Sequence, residues 1–416
     1  MKTNPFTSST FETIWSTHFN HGKKPLSLDF ICGVRFIKRS SLGVYENVGE
    51  NLTKGIYYEI DYTKEDYKGK TFLIYDVPSY YEMEAFKPPS NSSLQLKTIF
   101  QYNGFLMDIS SYSNHEDYIN SQFSSKNRRE FRSNQRRLEQ CFNISYDFIH
   151  GDVEQDDFDL LFQQFHDLLS KRFEDKQTNY HHLSPDKWNY YNELVIEMIK
   201  EKKASLLVIY NDKTPIAITL NFHADDILYE AITVFDPDYY KFSIGKTSII
   251  KLLEWCFEND YRISDFSKGD FDYKHKWGNL KYDFHYHILY DSKSIKSRFK
   301  ASYLALFYKT KLYLREKNYN EVYRKLMFKI KGGSQEHIDL FKNIKFEKLD
   351  HFEVNDSYKA IGYTDKEYSD YLPQCVYTFL FANPEPNQNI KVYQHQANKK
   401  EFVIVGSKKA QKIIFG

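Results

Sequence analysis

The stretch Asp265-Phe-Ser-Lys-Gly-Asp-Phe-Asp-Tyr-Lys-His-Lys-Trp-Gly278 decides how the rest of this chain is read. A short β-like entry, Arg262 to Phe266, runs into a loop that carries Gly269, the acids Asp265 and Asp270, and Tyr273-Lys274 ahead of Trp277-Gly278. A second strand-like run follows at Phe284–Tyr290. Charged groups beside aromatics at a strand end are well placed for chemistry, because the scaffold strands hold the loop still.

Upstream lies Tyr239-Tyr-Lys-Phe-Ser-Ile-Gly-Lys-Thr-Ser248, between a strand and a helix expected from about Gly245 to Asn259. Gly245 lets a ligand approach the backbone, and the first helical N–H groups have no internal acceptors. With the helix dipole they face an anion, and a pyrophosphate fits such a place. Lys246, Thr247 and Ser248 add charge and hydroxyl donors to Ile244 and Gly245. The Gly-Lys-Thr tripeptide is not a Walker A loop, since the required first glycine falls at Tyr240. The plain structural alternative is that Gly245 only breaks the chain and Ser243 caps the helix.

The combination over Ile227–Tyr290 resembles the GNAT-type N-acyltransferases. It comprises a strand, the Asp236-Pro-Asp238 turn, a glycine-opened helix and Gly269, Tyr273-Lys274 and Trp277-Gly278. Within them it is most similar to the cellulose-biosynthesis-associated (CelD-like) branch, relatives of the FemAB peptidyltransferases. The resemblance covers about residues 100–295 and is strongest at Phe266–Gly278. It implies an α+β, GNAT-like acyl-CoA N-acyltransferase fold: a mixed central sheet flanked by helices, with two central strands that splay to admit acyl-CoA. It further implies a pyrophosphate on Ile244–Ser248, main-chain donation from strand Ile227–Val234 near Val234, and Lys274 at the active centre. Asp265, Asp270 and Glu230 are the base candidates, Asp265 foremost because it ends a strand. The wider family pattern, Q/R-x-x-G-x-G/A, is departed from: Tyr240 stands at the first position and Ser243 at the first glycine.

Ahead of this region, Ser205–Tyr210, Pro215–His223 and Ile227–Phe235 alternate with turns at 211–213 and 224–226, which predicts an antiparallel meander. Asp156–Phe173 repeats its apolar residues with a period near 3.6, and Pro185 opens another helix through Met198. Residues 26–110 read as short strands: Ser27–Ile37, Ile56–Ile60, Thr71–Val77, Leu96–Phe100 and Gly104–Ile109. They fit a degenerate N-terminal GNAT-like half, a diverged copy of 205–290. Residues 295–332 are basic and helical, Gly332-Gly333-Ser334 reads as a hinge, and Val376–Ala382, Ile390–His395 and Phe402–Val405 read as strands of a small extension. The expected units are 1–145, with the basic helix, 146–295, the catalytic domain, and 296–416.

Ser125–Arg137 holds six cations and one acid. As a helix it stacks Arg128, Arg132 and Arg136 at i, i+4, i+8, with Arg129 beside them and Phe131 and Leu138 toward the core. Such a face is either solvated or binds a phosphorylated acceptor or tRNA; with Tyr273 these arginines are the candidate acceptor contacts. No DNA-reading motif accompanies it. His285 and His287 share a strand face but lack a third ligand, so no metal is expected.

Fifty-seven basic against 56 acidic residues leave a net charge of +1, so an anionic partner must be met locally. Four scattered cysteines and an N-terminus without an apolar core suit a cytoplasmic chain, and no apolar run is long enough to span a bilayer. The expected activity is transfer of an acyl group from acyl-CoA to an amine, an amino sugar of an envelope or exopolysaccharide precursor. Two alternatives stand beside it: a FemAB-like transferase that uses aminoacyl-tRNA, and a non-catalytic binding protein that keeps the fold.

Overall fold

A computed structural model describes residues 4–39, 42–81, 86–175, 181–317, 344–349 and 352–416. The chain begins with helix α1 (Ser9–Phe19), capped by the Ser8 hydroxyl, which accepts from the Phe11 amide. Strands β1 (Leu26–Leu28), β2 (Ile31–Arg39), β3 (Val44–Asn47), β4 (Glu59–Ile60), β5 (Thr71–Pro78) and β6 (Leu94–Asp108) follow. Helices α2 (His115–Gln122) and α3 (Ser125–Cys141) lead to β7 (Ile144–Ile149), α4 (Gln155–Asp175) and α5 (Pro185–Lys200). Next come β8 (Ala204–Asn211), β9 (Thr214–Ala224), β10 (Ile227–Phe235), α6 (Ile244–Glu258), β11 (Ile263–Lys268), α7 (Asp272–Trp277), β12 (Leu280–Asp291) and α8 (Ile295–Glu316). A last unit holds β13 (Lys345–Leu349), β14 (Tyr358–Ile361), α9 (Leu372–Ala382), β15 (Lys391–His395), β16 (Glu401–Val405) and β17 (Ala410–Ile414).

The first twelve strands form one mixed sheet in the order β1-β2-β3-β5-β12-β6-β11-β10-β9-β8-β7, with β4 on β2. The β8–β9–β10 meander is antiparallel throughout, and β9 is buried on both faces after its first residue. Helices α1, α4 and α5 cover one face through residues such as Trp15, Phe162 and Leu194. On the other face lie α2, α3, α6 and α7, and farther along α8, which packs Ala301 and Leu304 on Leu73 and Ile288. Each fully buried leucine of these stripes, Leu253 of α6 for example, adds roughly 2 kcal/mol of hydrophobic stabilisation.

Several expectations need correcting. Leu96–Phe100 and, as far as Asp108, Gly104–Ile109 belong to one long strand, β6, whose pairing with β12 shifts register between Phe284 and His285. The 265–278 loop contains the short helix α7. Val376–Ala382 lies in helix α9 rather than in a strand. Pro373 opens that helix, and Leu372, Val376, Phe379 and Leu380 repeat at helical spacing, which a short apolar run does not reveal. The sheet also passes unbroken across the boundary expected at 145/146: β11 pairs with β6, and β12 lies between β5 and β6. The proposed hinge at 332–334 lies outside the described residues.

The C-terminal five-stranded sheet, in the order β13-β17-β16-β15-β14, carries α9. Leu372, Val376 and Phe379 of α9 share a core with Leu138 of α3 and with Tyr239 and Phe242 of the 3-10 turn Pro237–Phe242. This extension therefore braces the segment that leads into α6. No helix among the described residues is long and apolar enough to cross a membrane.

Candidate active site

Strands β10 and β11 run parallel but pair over only three positions, Ile227↔Ile263, Leu228↔Ser264 and Tyr229↔Asp265. Beyond that point they part. On one side β10 carries a bulge, because Glu230 pairs with Asn221 and Ile232 with Leu220, leaving Ala231 out of the ladder. On the other side β11 slips against β6 between Asp265 and Lys268, and Ser267 takes a left-handed φ of 57°. A cleft of about 680 Å³ opens on the β10 side of that gap, walled by β10 and by the helices rather than by β11 itself. Glu230, Thr233 and Phe235 of β10, Ile244, Gly245 and Lys246 of α6, and Tyr273, Lys276 and Trp277 of α7 line it, with Asn127 and Phe131 of α3 and Arg172 of α4.

At the helix start, Lys246 and Thr247 donate their amides to the Ser243 carbonyl, while those of Ile244 and Gly245 have no main-chain acceptor among the described residues. Gly245 sits so near Phe235 that an added Cβ would lie 3.0 Å from the ring. Ser243, at the position where the wider family pattern has glycine, is itself left-handed, with φ 55° and ψ 41°. A non-glycine residue there is strained by roughly 1–2 kcal/mol. Asn134 of α3 donates to its Oγ at 3.2 Å and helps hold it in place. Lys246 is tied to Glu130 of α3 at 2.8 Å, and the Arg172 guanidinium lies 3.9 Å over the Phe235 ring. Next to Arg172, Lys171 bridges Asp236 and Asp238 at 2.8 and 2.7 Å, which fixes α4 against the turn before α6.

Glu230 faces the cleft and is 8 % exposed. Its Oε1 is buried with no hydrogen-bond partner among the described residues. Burial raises its pKa to about 8; the Lys274 charge opposes that rise and Asp265 adds to it. Asp265 lies across from Tyr229 and so faces the opposite side of the sheet. There Tyr282 donates to both carboxylate oxygens at 2.8 and 2.7 Å, Tyr80 donates at 3.0 Å, and the Ser267 amide at 2.7 Å. Burial lifts the Asp265 pKa to about 6 against those donors. Asp270 is exposed and paired with His275, and that hydrogen bond lowers its pKa.

Lys274 does not reach into the cleft. Its ammonium donates to the carbonyls of Phe266 at 2.7 Å, Ser267 at 3.3 Å and Lys268 at 2.7 Å, so its three N–H groups are all engaged. Those carbonyls belong to the stretch where β11 has left β10. Lys274 thus satisfies backbone groups that the splay deprives of a strand partner. Burial brings its pKa down to about 8, against the charges of Glu230, Asp265 and Asp270.

Of the residues named from sequence, Glu230, Ile244, Gly245, Lys246 and Tyr273 meet in the cleft. Val234 is fully buried in the core beneath, because alternation turns Thr233 and Phe235 toward the opening instead. Thr247 and Ser248 lie on the packed side of α6, where the Ser248 hydroxyl donates to the Ile244 carbonyl. Arg128 and Arg132 line a separate, smaller hollow of about 100 Å³, and Arg129 and Arg136 are exposed on α3, so none of the four faces the cleft. His287 accepts or donates to Tyr58 through Nδ1 at 2.7 Å. Among the described residues no group of three or more His, Cys, Asp or Glu side chains could hold a metal ion. Sequence reasoning missed Arg172, Asn127 and Phe235; the only trace of Arg172 was a Lys-Arg pair at the end of the α4 apolar stripe.

A mixed sheet parted at two parallel strands, with a helix start aimed at the gap, is the α+β fold of GNAT acyltransferases. Residues 125–275, from α3 into α7, match the model of a family described as an acetyltransferase (GNAT) domain. No curated protein matches the sequence. Among solved structures, FemX is 11% identical, covering 68% of this chain and 92% of its own, with a TM-score of 0.47. A conserved protein of unknown function from Bacteroides thetaiotaomicron is 10% identical, with 69% and 92% covered and a TM-score of 0.45. The L-PGS structure from Bacillus licheniformis is 11% identical, with 65% and 85% covered and a TM-score of 0.39.

Proposed function

We propose that this chain is an N-acyltransferase that takes its acyl group from acyl-CoA and passes it to an amine. The observation that carries this reading is the meeting, in one cleft, of the open amides of Ile244 and Gly245 with the buried, unpartnered Oε1 of Glu230. The amides, with Lys246 and Arg172, suit the diphosphate of the donor. Glu230, in its ionised form, takes the proton from the attacking amine. A C–N bond forms as the C–S bond breaks, and the departing thiolate of CoA takes up the proton that Glu230 removed from the amine, which returns the carboxylate to its ionised form. In this reading the bulge at Ala231 offers a main-chain donor for the tetrahedral oxygen.

For the acceptor we assign an amino sugar of a cell-envelope or exopolysaccharide precursor, the class implied by the CelD-like resemblance. Tyr240 and Tyr273, both exposed at the cleft, offer ring faces on which a sugar can stack. A cytoplasmic location, where acyl-CoA is made, goes with this reading.

Calorimetric titration with acetyl-, succinyl- and longer acyl-CoAs tests it. Saturable binding by at least one is expected, and Gly245→Asp should remove it, since the new carboxylate faces the diphosphate and its Cβ meets Phe235. If none of the CoA esters binds while charged tRNA does, with a steep salt dependence, the donor is an aminoacyl-tRNA instead.

A further inference from the structure

Helix α8 presents two apolar faces. One packs on the sheet through Ala301, Leu304, Ala305 and Tyr308. The outward face of a surface helix is ordinarily polar. Here it carries Ile295 (82 % exposed), Phe299 (73 %) and Leu306 (66 %), together with exposed Tyr303, Phe307 and Tyr313. At 100° per residue these fall within an arc of about 120°, opposite the buried side; the arc also takes in exposed Thr310 and, in the first turn, exposed Lys296, whose long side chain can carry its ammonium out to the rim. The helix also carries six Lys and Arg residues against the single acid Glu316. Arg298 and Lys309 border the stripe on one side and Lys311 on the other, all exposed, and none is in an ion pair among the described residues. Lys300, on the Lys311 side, is held by the Gly43 carbonyl at 2.9 Å.

We propose that α8 is a membrane-docking helix, which lies flat on an anionic phospholipid surface with its aromatic and aliphatic stripe among the acyl chains. An apolar stripe rimmed by cations has the chemistry of an interfacial helix: the rings and aliphatic chains enter the acyl boundary while the cations meet lipid phosphates. Charge selects this occupant. A second copy of the chain would set the same unpaired cations against each other. A nucleic acid would leave aliphatic side chains such as Ile295 and Leu306 in water. With a net charge of only +1 on the whole molecule, the attraction is local to this helix.

The test is sedimentation of the full chain with vesicles of phosphatidylcholine alone and of phosphatidylcholine mixed with phosphatidylglycerol. Two variants accompany it: F299E/L306E on the stripe and R298E/K309E on the rim. Their unchanged urea midpoints would show that the fold is intact. Binding is expected only with the anionic vesicles, falling with added salt. It should be lost in F299E/L306E and weaken by at least roughly fivefold for each cation reversed in R298E/K309E. The proposal is overturned if the chain ignores anionic vesicles at low salt, or if F299E/L306E binds them as well as the parent does. It is also overturned if the chain self-associates through this stripe, seen in ultracentrifugation as a dimer that the same variant dissolves.

Discussion

Replacing Glu230 by Gln tests the centre of the proposed site, because the shape is kept and only the ionisation goes. The folded-state pKa of Glu230 is about 8, above its ordinary value of 4.5, and burial is the main cause. The folded chain therefore holds this proton over a range in which the unfolded chain has released it. Its contribution to stability is fully present below about pH 4.5 and is lost as the pH climbs to about 8. At about 1.4 kcal/mol per unit, the displacement sets a ceiling of roughly 5 kcal/mol. Water drawn in by the ionised carboxylate lowers that to roughly 2–3 kcal/mol. The glutamine has no proton to lose and escapes this decline. Urea unfolding of both proteins at intervals from pH 4.5 to 9 should show near-equal stability at the acid end and a growing advantage for E230Q toward pH 9. In the same variant, kcat should fall by roughly 10²–10⁴-fold while acyl-CoA affinity holds. The parent's kcat/KM should rise with pH and level off above about 8, as Glu230 ionises. Parallel stability curves for the two proteins, or full activity in E230Q, would rule out Glu230 as the buried base.

Three further substitutions separate binding, strain and framework. Arg172→Met keeps the packing on Phe235 and removes the cation; steady-state kinetics should show KM for acyl-CoA raised by roughly tenfold or more with a smaller change in kcat. Ser243→Gly relieves a left-handed serine, so thermal denaturation should show a gain of roughly 0.5–1 kcal/mol, with CoA binding retained. Lys274→Met strands the carbonyls of Phe266, Ser267 and Lys268, and urea unfolding should register a loss of roughly 3–5 kcal/mol. A variant of unchanged stability but abolished turnover would place Lys274 at the reacting carbonyl instead.

What could be read in the sequence was local. The α6 stripe follows a 3.6-residue period, and the β8–β10 meander is punctuated by Asn211-Asp-Lys213 and Ala224-Asp-Asp226. Gly245 could be seen as an opening to a helix, and it does line the cleft. What escaped depends on long-range register. The pairing of Tyr229 with Asp265 fixes parity, so Glu230 faces the cleft while Asp265 turns to the tyrosines behind. Nothing within 265–278 announces that parity; it comes from a strand some thirty-five residues away. The insertion of β12 between β5 and β6 escapes for the same reason, as does the approach of Arg172 to Phe235.

The splay itself explains why the N-terminal strands and β7–β11 share one sheet. A strand that leaves its neighbour exposes carbonyls and amides that are costly to bury unpaired. At β11 the stranded carbonyls are taken up from one direction, and the strand's own side chains are anchored from the other. Lys274, on α7, takes three carbonyls. Lys268, on the strand itself, reaches Asp76 of β5 at 2.6 Å and the Asn51 carbonyl at 3.0 Å, and Asp76 is held in turn by Gln101 of β6 at 2.7 Å and by Thr53 at 2.8 Å. Asp265 receives Tyr80, just beyond β5, and Tyr282 of β12. The N-terminal strands and the inserted β12 thus supply the far wall against which β11 can part from β10. The cleft therefore rests on more than β7–β11, because Asp76, Tyr80 and Tyr282, which hold the Lys268 and Asp265 side chains, lie outside them.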